Sequence, residues 1–294
     1  MINCKALIKT ALREDIGRGD ITTRLLIAND LSSSAKFIAK EDGVVCGLEI
    51  AGRVFKALDK NIKFSPRVKD GRYVRKGKVL AVVSGKARSI LTAERTALNF
   101  LSHLSGVATQ TRKFVERVKP YNVKIMDTRK TLPGLRQFQK YAVRCGGGYN
   151  HRMDLSKQIL IKDNHIKCIS AGVYKCISLK KLIEIAKKRK PKGVKIEIEV
   201  NNLRQFEDAL KAKPDIIMLD NMGIKEIRTA VKLLRNSPYA CLAGRQAIRN
   251  TLLEVSGNVT LNNVRKIARA GINIISIGSI THSAPSLDIA LEVK

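Results

Sequence analysis

A chain of 294 residues with 44% hydrophobic content is long enough to bury one large α/β core, or that core and a smaller one. Its formal net charge of +31 points to acidic partners: nucleic acid, an anionic surface or phosphorylated metabolites. No apolar run reaches the roughly 18 residues of a membrane span, the start lacks a signal-peptide apolar stretch, and the six cysteines form no C-x-x-C pair. Reduced thiols and a cytoplasmic setting are therefore expected, without structural disulfides or cysteine-bound zinc.

In chain order, residues 34–84 show short apolar runs broken by glycines and charges. Alternation in "RYVRKGKVLAVV" (72–83) predicts strands, with a helix near 48–58. From 88 to 118 apolar residues recur at helical spacing, which predicts one long helix or two joined near Gly106, with Arg95 off the apolar stripe. Beyond 122 the rhythm changes. Short β-branched runs appear at 123–128, 159–163, 195–200, 216–220, 252–257 and 274–278, with helical patterns between most of them. That alternation predicts parallel βα units forming an incomplete, TIM-like barrel of about six strands. The basic run "KKRKPK" (187–192) reads as a solvated helix face.

Each of these strands ends on a polar or small residue: Asp127-Thr128-Arg129, Lys162-Asp163, Glu199, Asp220, Ser256-Gly257 and Gly278-Ser279. In a parallel barrel the carboxyl ends open on one face, where catalytic groups collect. The stretch "DTRKTLPGLRQFQKYAVRCGGGYNHR" (127–152) hangs cations over that face, so Arg129, Lys130, His151, Arg152 and Lys162 are candidates to hold a small polyanion. His165 is expected to support these residues from behind. Glu199 and Asp220 are candidates to share Mg²⁺ with substrate oxygens. Ser256-Gly257-Asn258, before a helix that Thr260 would cap and Gly271 would end, and Gly278-Ser279 suit a phosphate cradle.

The segments "REDIGRGDITT" (13–23), "ERTALNFLSHLSGVAT" (94–109), the basic stretch 127–152, "LIKDNHI" (160–166), "IEIEVNNL" (196–203), "IIMLDNM" (216–222) and "LEVSGNVTLNNV" with "SIGSITHSAPSLDIAL" (253–291) resemble the quinolinate phosphoribosyltransferases. The resemblance runs in order over nearly the whole chain. It implies an N-terminal α/β sandwich domain over 1–107, to which 282–294 return, and a barrel over 108–281. The implied reaction joins quinolinate to phosphoribosyl pyrophosphate (PRPP) with Mg²⁺, releasing pyrophosphate and CO₂ and giving nicotinate mononucleotide for NAD synthesis. The implied assembly is a homodimer or larger, with shared active sites.

Matched position by position, the resemblance gives Arg95 to the neighbouring chain's quinolinate. It gives Thr128, Arg129, Lys130, His151, Arg152 and Lys162 to the anion pocket, and Glu199 and Asp220 to the ribose and metal. Ser256, Gly257, Asn258, Gly278 and Ser279 fall to the 5′-phosphate, and Lys130, Lys162, Glu199 and Asp220 are the catalytic candidates. Lys157 stands where the family has an acid. A related pyrophosphorylase of molybdenum-transport loci shares the implied fold. A specific nucleic-acid role is not expected, since neither interleaved aromatics nor a binding module is present.

Overall fold

The computed structural model describes residues 5–171, 177–236 and 251–293. It divides into two compact units, the first made of Met1–Arg112, Lys130–Gly148 and Ser279–Lys294, the second of Lys113–Arg129 and Tyr149–Gly278.

The first unit contains α1 (Lys5–Ile16), α2 (Ile21–Leu26), β1 (Ser32–Ala39), β2 (Gly43–Val44), α3 (Leu48–Leu58), β3 (Lys63–Pro66), β4 (Tyr73–Val74) and β5 (Val79–Lys86). It also holds most of the long α4 (Ala87–Val118), with α5 (Arg136–Cys145), α11 (Ser279–His282) and β12 (Ile289–Val293) arriving from farther along the chain. Its antiparallel sheet runs β12-β1-β5-β3, and β2 pairs with β4. Alternation in β1 sends Ala35, Phe37 and Ala39 inward. There Phe37 meets Phe55 of α3 and Phe64 of β3, at ring separations of 5.9 and 5.8 Å. Helix α3, expected near 48–58, buries Leu48, Ile50, Ala51, Val54 and Phe55 along one 3.6-residue stripe. Its N-cap is Gly47, which has no side chain for the task, so Asp70 takes the amides of Gly47 and Leu48 at 2.9 and 3.1 Å.

Helix α4 is continuous through Gly106. The glycine is there for a close approach, because a Cβ at this position would lie 2.0 Å from the carbonyl oxygen of Pro285. The Leu287 amide then bonds the Ser102 carbonyl at 3.0 Å, which leads the chain into β12.

The second unit carries β6 (Lys124–Met126), β7 (Ile159–Ile161), α6 (Asp163–Ala171), α7 (Leu179–Arg189), β8 (Ile196–Val200), α8 (Leu203–Lys211), β9 (Ile216–Asp220), α9 (Ile224–Asn236), β10 (Leu252–Ser256), α10 (Val264–Arg269) and β11 (Ile274–Ser276). The six strands pair in parallel in the order β6-β11-β10-β9-β8-β7. These are the six strands read from the sequence. The end strands β6 and β7 do not pair, as in an incomplete barrel. Residues 149–152 follow the free edge of β6, with Met126 and Tyr149 forming a parallel bridge. The sheet curls around a cavity of about 500 Å³, lined among others by Lys124 and Met126 of β6, Gln158 just before β7, Ile216 of β9, Glu254 of β10 and Ile274 of β11. Helices α7 and α8 begin at Ser178 and Asn202, whose side chains accept from Lys181 N and Gln205 N. Thr260 does not cap α10. The helix starts at Val264, and Asn263, its N-cap, turns its carboxamide back to the Thr260 amide at 2.8 Å. Gly271, at φ +90°, follows the end of α10 as expected.

Candidate active site

At the carboxyl ends of β9 and β10, Asp220 and Ser256 are register partners. The chain then turns sharply on both strands. Asn221, at φ +54°, bonds its amide to Ser256 O at 3.0 Å and its side-chain NH₂ to Asp220 Oδ2 at 2.9 Å. Gly257, at φ +86°, lies so close to Asn221 that a Cβ would come within 2.2 Å of its Oδ1. Asn258 Nδ2 donates to the same oxygen at 3.0 Å, and Asn263 Nδ2 holds the Asn258 carbonyl at 2.9 Å. These bonds brace a backbone turn of small residues with Gly278 at the next strand end, a geometry suited to a phosphate oxygen.

One strand away, Lys162 Nζ lies 3.3 Å from Glu199 Oε2. Burial raises the Glu199 carboxyl above its ordinary range, and Lys162 works against that shift while the charge of Asp220 adds to it. Glu199 and Asp220 thus share a field on neighbouring strands. Their oxygen-only donor set fits Mg²⁺ completed by substrate oxygens.

Arg129 and Arg152 are half-buried in this unit, and Thr128 with them. The Arg152 guanidinium is lowered first by burial and then by the like charge of Arg129, with Glu197 pulling the other way. Two guanidiniums held within reach of each other form a ready anion site. Arg152 is fixed through Nη1, which donates to Gln158 O at 2.8 Å.

His151 is buried against acids inside the curled sheet. Its Nε2 is 3.0 Å from Glu197 Oε2 and 3.7 Å from Glu254 Oε1. Gln158 Nε2 reaches the same Glu197 oxygen at 2.6 Å. Asp127 accepts the His151 amide at 2.9 Å and Asn150 Nδ2 at 2.5 Å, which pins residues 150–151 to the end of β6. Burial and the nearby charge of Glu197 push the Glu254 carboxyl up to about 8, against the pull of His151. His165 sits behind Lys162, its Nδ1 accepting the Lys162 amide at 3.0 Å.

Three further candidates lie in the first unit: Arg95, exposed on α4; Lys130, exposed, whose carbonyl accepts Thr281 Oγ1 at 2.7 Å; and Ser279, the first residue of α11. Lys157 is exposed.

Sequence reasoning passed over Glu197, Glu254, Gln158, Asn150 and Asn221. A signal was present for the first: in "IEIEV" (196–200) both glutamates fall on one face of the strand, so an inward Glu199 requires an inward Glu197.

Residues 107–292 match the family model of the quinolinate phosphoribosyl transferase C-terminal domain, and residues 20–105 that of the N-terminal domain. The chain is 39% identical over 298 residues to a chloroplastic nicotinate-nucleotide pyrophosphorylase (carboxylating) of Arabidopsis thaliana, covering 98% of this chain and 82% of that one. The solved nicotinate-nucleotide pyrophosphorylase of Francisella tularensis is 40% identical, covers 99% of this chain and 95% of its own, and superposes with a TM-score of 0.86. That of Ehrlichia chaffeensis is 39% identical, with 100% and 99% covered and a TM-score of 0.88.

Proposed function

Because the chain belongs to the quinolinate phosphoribosyltransferase family, we propose that its second unit joins quinolinate to PRPP with loss of pyrophosphate and CO₂, giving nicotinate mononucleotide for de novo NAD synthesis. The pairing of Arg129 with Arg152, like charges brought together in a half-buried site, carries this reading. Their forks match two carboxylates of one ring. The braced turn at Ser256, Gly257 and Asn258, with Gly278, takes the 5′-phosphate.

In the reaction the pyridine nitrogen forms a bond to C1′ of the ribose as the bond from C1′ to pyrophosphate breaks. Arg129, Arg152 and Lys162 hold the ring in line with C1′, which turns a two-body encounter into a local one. Glu199, paired with Lys162, and Asp220 face the positive charge that develops on the ribose. The ribosylated ring nitrogen is cationic, so the electron pair left at the adjacent carbon when CO₂ departs is stabilised until a proton replaces it. Glu199 and Asp220 would hold Mg²⁺, which when bound would supply charge neutralisation for the pyrophosphate.

The active assembly is a homodimer or larger, with Arg95 serving the neighbouring chain. In support, α2 leaves Ile21, Leu25 and Leu26 exposed at 72, 77 and 76%, an apolar face suited to a second copy. The enzyme works in the cytoplasm; among the described residues no helix is long and apolar enough to cross a membrane.

The test is one assay of purified protein with PRPP and Mg²⁺, following nicotinate mononucleotide and CO₂, with quinolinate as acceptor and nicotinate as control. Product from quinolinate alone is expected. Product from neither acceptor would rule the reading out.

A further inference from the structure

We infer that His151, Glu197 and Glu254 form a binding site for a divalent transition-metal ion, Zn²⁺ in chemistry, inside the curled sheet and separate from the oxygen-only pair Glu199 and Asp220. The site does not depend on which acceptor the enzyme uses.

Three ligating atoms, one from each residue, lie within 4.8 Å of one another, and all three residues are buried. The imidazole Nε2 is 3.0 Å from one carboxylate and 3.7 Å from the other. A tetrahedral zinc with bonds of about 2.0–2.1 Å separates its ligand atoms by roughly 3.3 Å, and the two observed spacings bracket that edge. One nitrogen and two oxygens favour a borderline ion over Mg²⁺, which prefers oxygen alone.

A second observation is independent of the spacing. Among the described residues, both oxygens of Glu254 and Oε1 of Glu197 are fully buried and meet no donor at hydrogen-bond distance, the Ser276 hydroxyl being near enough to Glu254 only to lower its carboxyl. Glu254 and His151 are among the residues that line the cavity of about 500 Å³, which sets the cluster at its wall. Buried carboxylates without donors are costly, and a cation is the usual remedy. A proton on Glu254 removes one charge yet supplies one donor to three idle oxygens. An ion bound to both carboxylates engages both at once.

The second group with ligating atoms this close, Cys46, Asp70 and Cys145, differs in this respect. Asp70 already accepts from Gly47 N, Leu48 N and Tyr141 Oη, so its carboxylate is committed.

The experiment uses the full chain, stripped with a chelator and titrated with Co²⁺ as a spectroscopic probe, followed by competition with Zn²⁺ and with excess Mg²⁺. One Co²⁺ per chain is expected, with the visible absorption of a four- or five-coordinate ion that Zn²⁺ abolishes and Mg²⁺ does not. Glu254→Gln and Glu197→Gln, which preserve shape, should each weaken Co²⁺ binding by about 100-fold, the upper range for disturbed metal sites. Glu199→Gln should leave the spectrum unchanged. Absence of the absorption in the unsubstituted chain, folded by circular dichroism, would overturn the assignment. So would equal binding by either folded glutamine variant, or loss of the absorption in Glu199→Gln alone.

Discussion

Glu197 and His151 meet inside the curled sheet with Oε2 and Nε2 3.0 Å apart, and Gln158 Nε2 reaches the same carboxylate oxygen at 2.6 Å. Gln158 in turn holds Arg152 through its carbonyl. A carboxylate that never faces solvent thus sets the pose of two residues given to quinolinate. Glu197→Ala is expected to raise KM for quinolinate about 10- to 100-fold, the size of one or two lost charge-assisted hydrogen bonds. KM for PRPP should change little. Equal effects on both KM values would show a general loss of structure instead.

Glu254 links the same cluster to pH. Its carboxyl, pushed up to about 8 by burial and by the charge of Glu197, keeps in the folded chain a proton that the unfolded chain releases near 4.5. A raised carboxyl stabilises the fold fully below the unfolded value and loses that contribution as pH rises. Stability should therefore fall between about pH 4.5 and 8, with a slope of at most about 1.4 kcal/mol per pH unit from this group. Glu254→Gln should flatten the decline and melt above the unsubstituted chain at pH 8. Thermal melts at pH 5, 6.5 and 8 with chelator present check this, and parallel curves would count against it.

Lys162 works on Glu199 in the opposite direction. Burial and Asp220 raise the Glu199 carboxyl, and the lysine lowers it. Lys162→Ala should let that carboxyl rise further, so the acid limb of the pH–rate profile moves to higher pH while kcat falls. Lys162→Arg, which restores the charge, should return the limb toward its original position. A profile that drops in height without moving would break the link between the two residues.

Gly257→Ala probes the phosphate turn. The backbone sits at φ +86°, and the added methyl would meet Asn221 Oδ1 at 2.2 Å. Strain and the clash together should cost about 1–3 kcal/mol of stability. KM for PRPP should rise several-fold while KM for quinolinate holds, as read by steady-state kinetics with each substrate varied.

Shared sites predict complementation. Arg95→Ala and Lys130→Ala chains should each be poorly active alone. Mixed after dissociation and reassembly, they should regain part of the activity, because one site of each mixed dimer then carries both side chains. No recovery in assemblies shown to be mixed would mean that each chain completes its own site.

All six parallel strands were legible because each is a short β-branched run between amphipathic helices, a pattern set by burial on both faces. Residues at strand ends, such as Glu199, Asp220 and Ser256, were legible from position alone. Glu254 was not, since a lone acid within "LLEVS" (252–256) looks the same whether it faces outward or into a cavity. The inward turn of His151 was hidden for a different reason. It depends on Asp127, 24 residues earlier in the chain, gripping the His151 amide. At Gly106 the sequence allowed one long helix or two, and the reason the helix runs on was not legible: the glycine admits the backbone at Pro285, far along the chain.

The antiparallel pairing that sets Ala39 beside Ile289 also has a consequence for synthesis. On the ribosome β1 emerges early, and its partner β12 follows only after every strand of the parallel sheet. One edge of β1 must stay unpaired while the second unit is translated and begins to fold, the reverse of the N-terminal-first order usual for domains. A nascent chain stalled just short of residue 289 would therefore present that edge, with the apolar Phe37 beneath it, to chaperones. Release of the final strand would be the event that closes it.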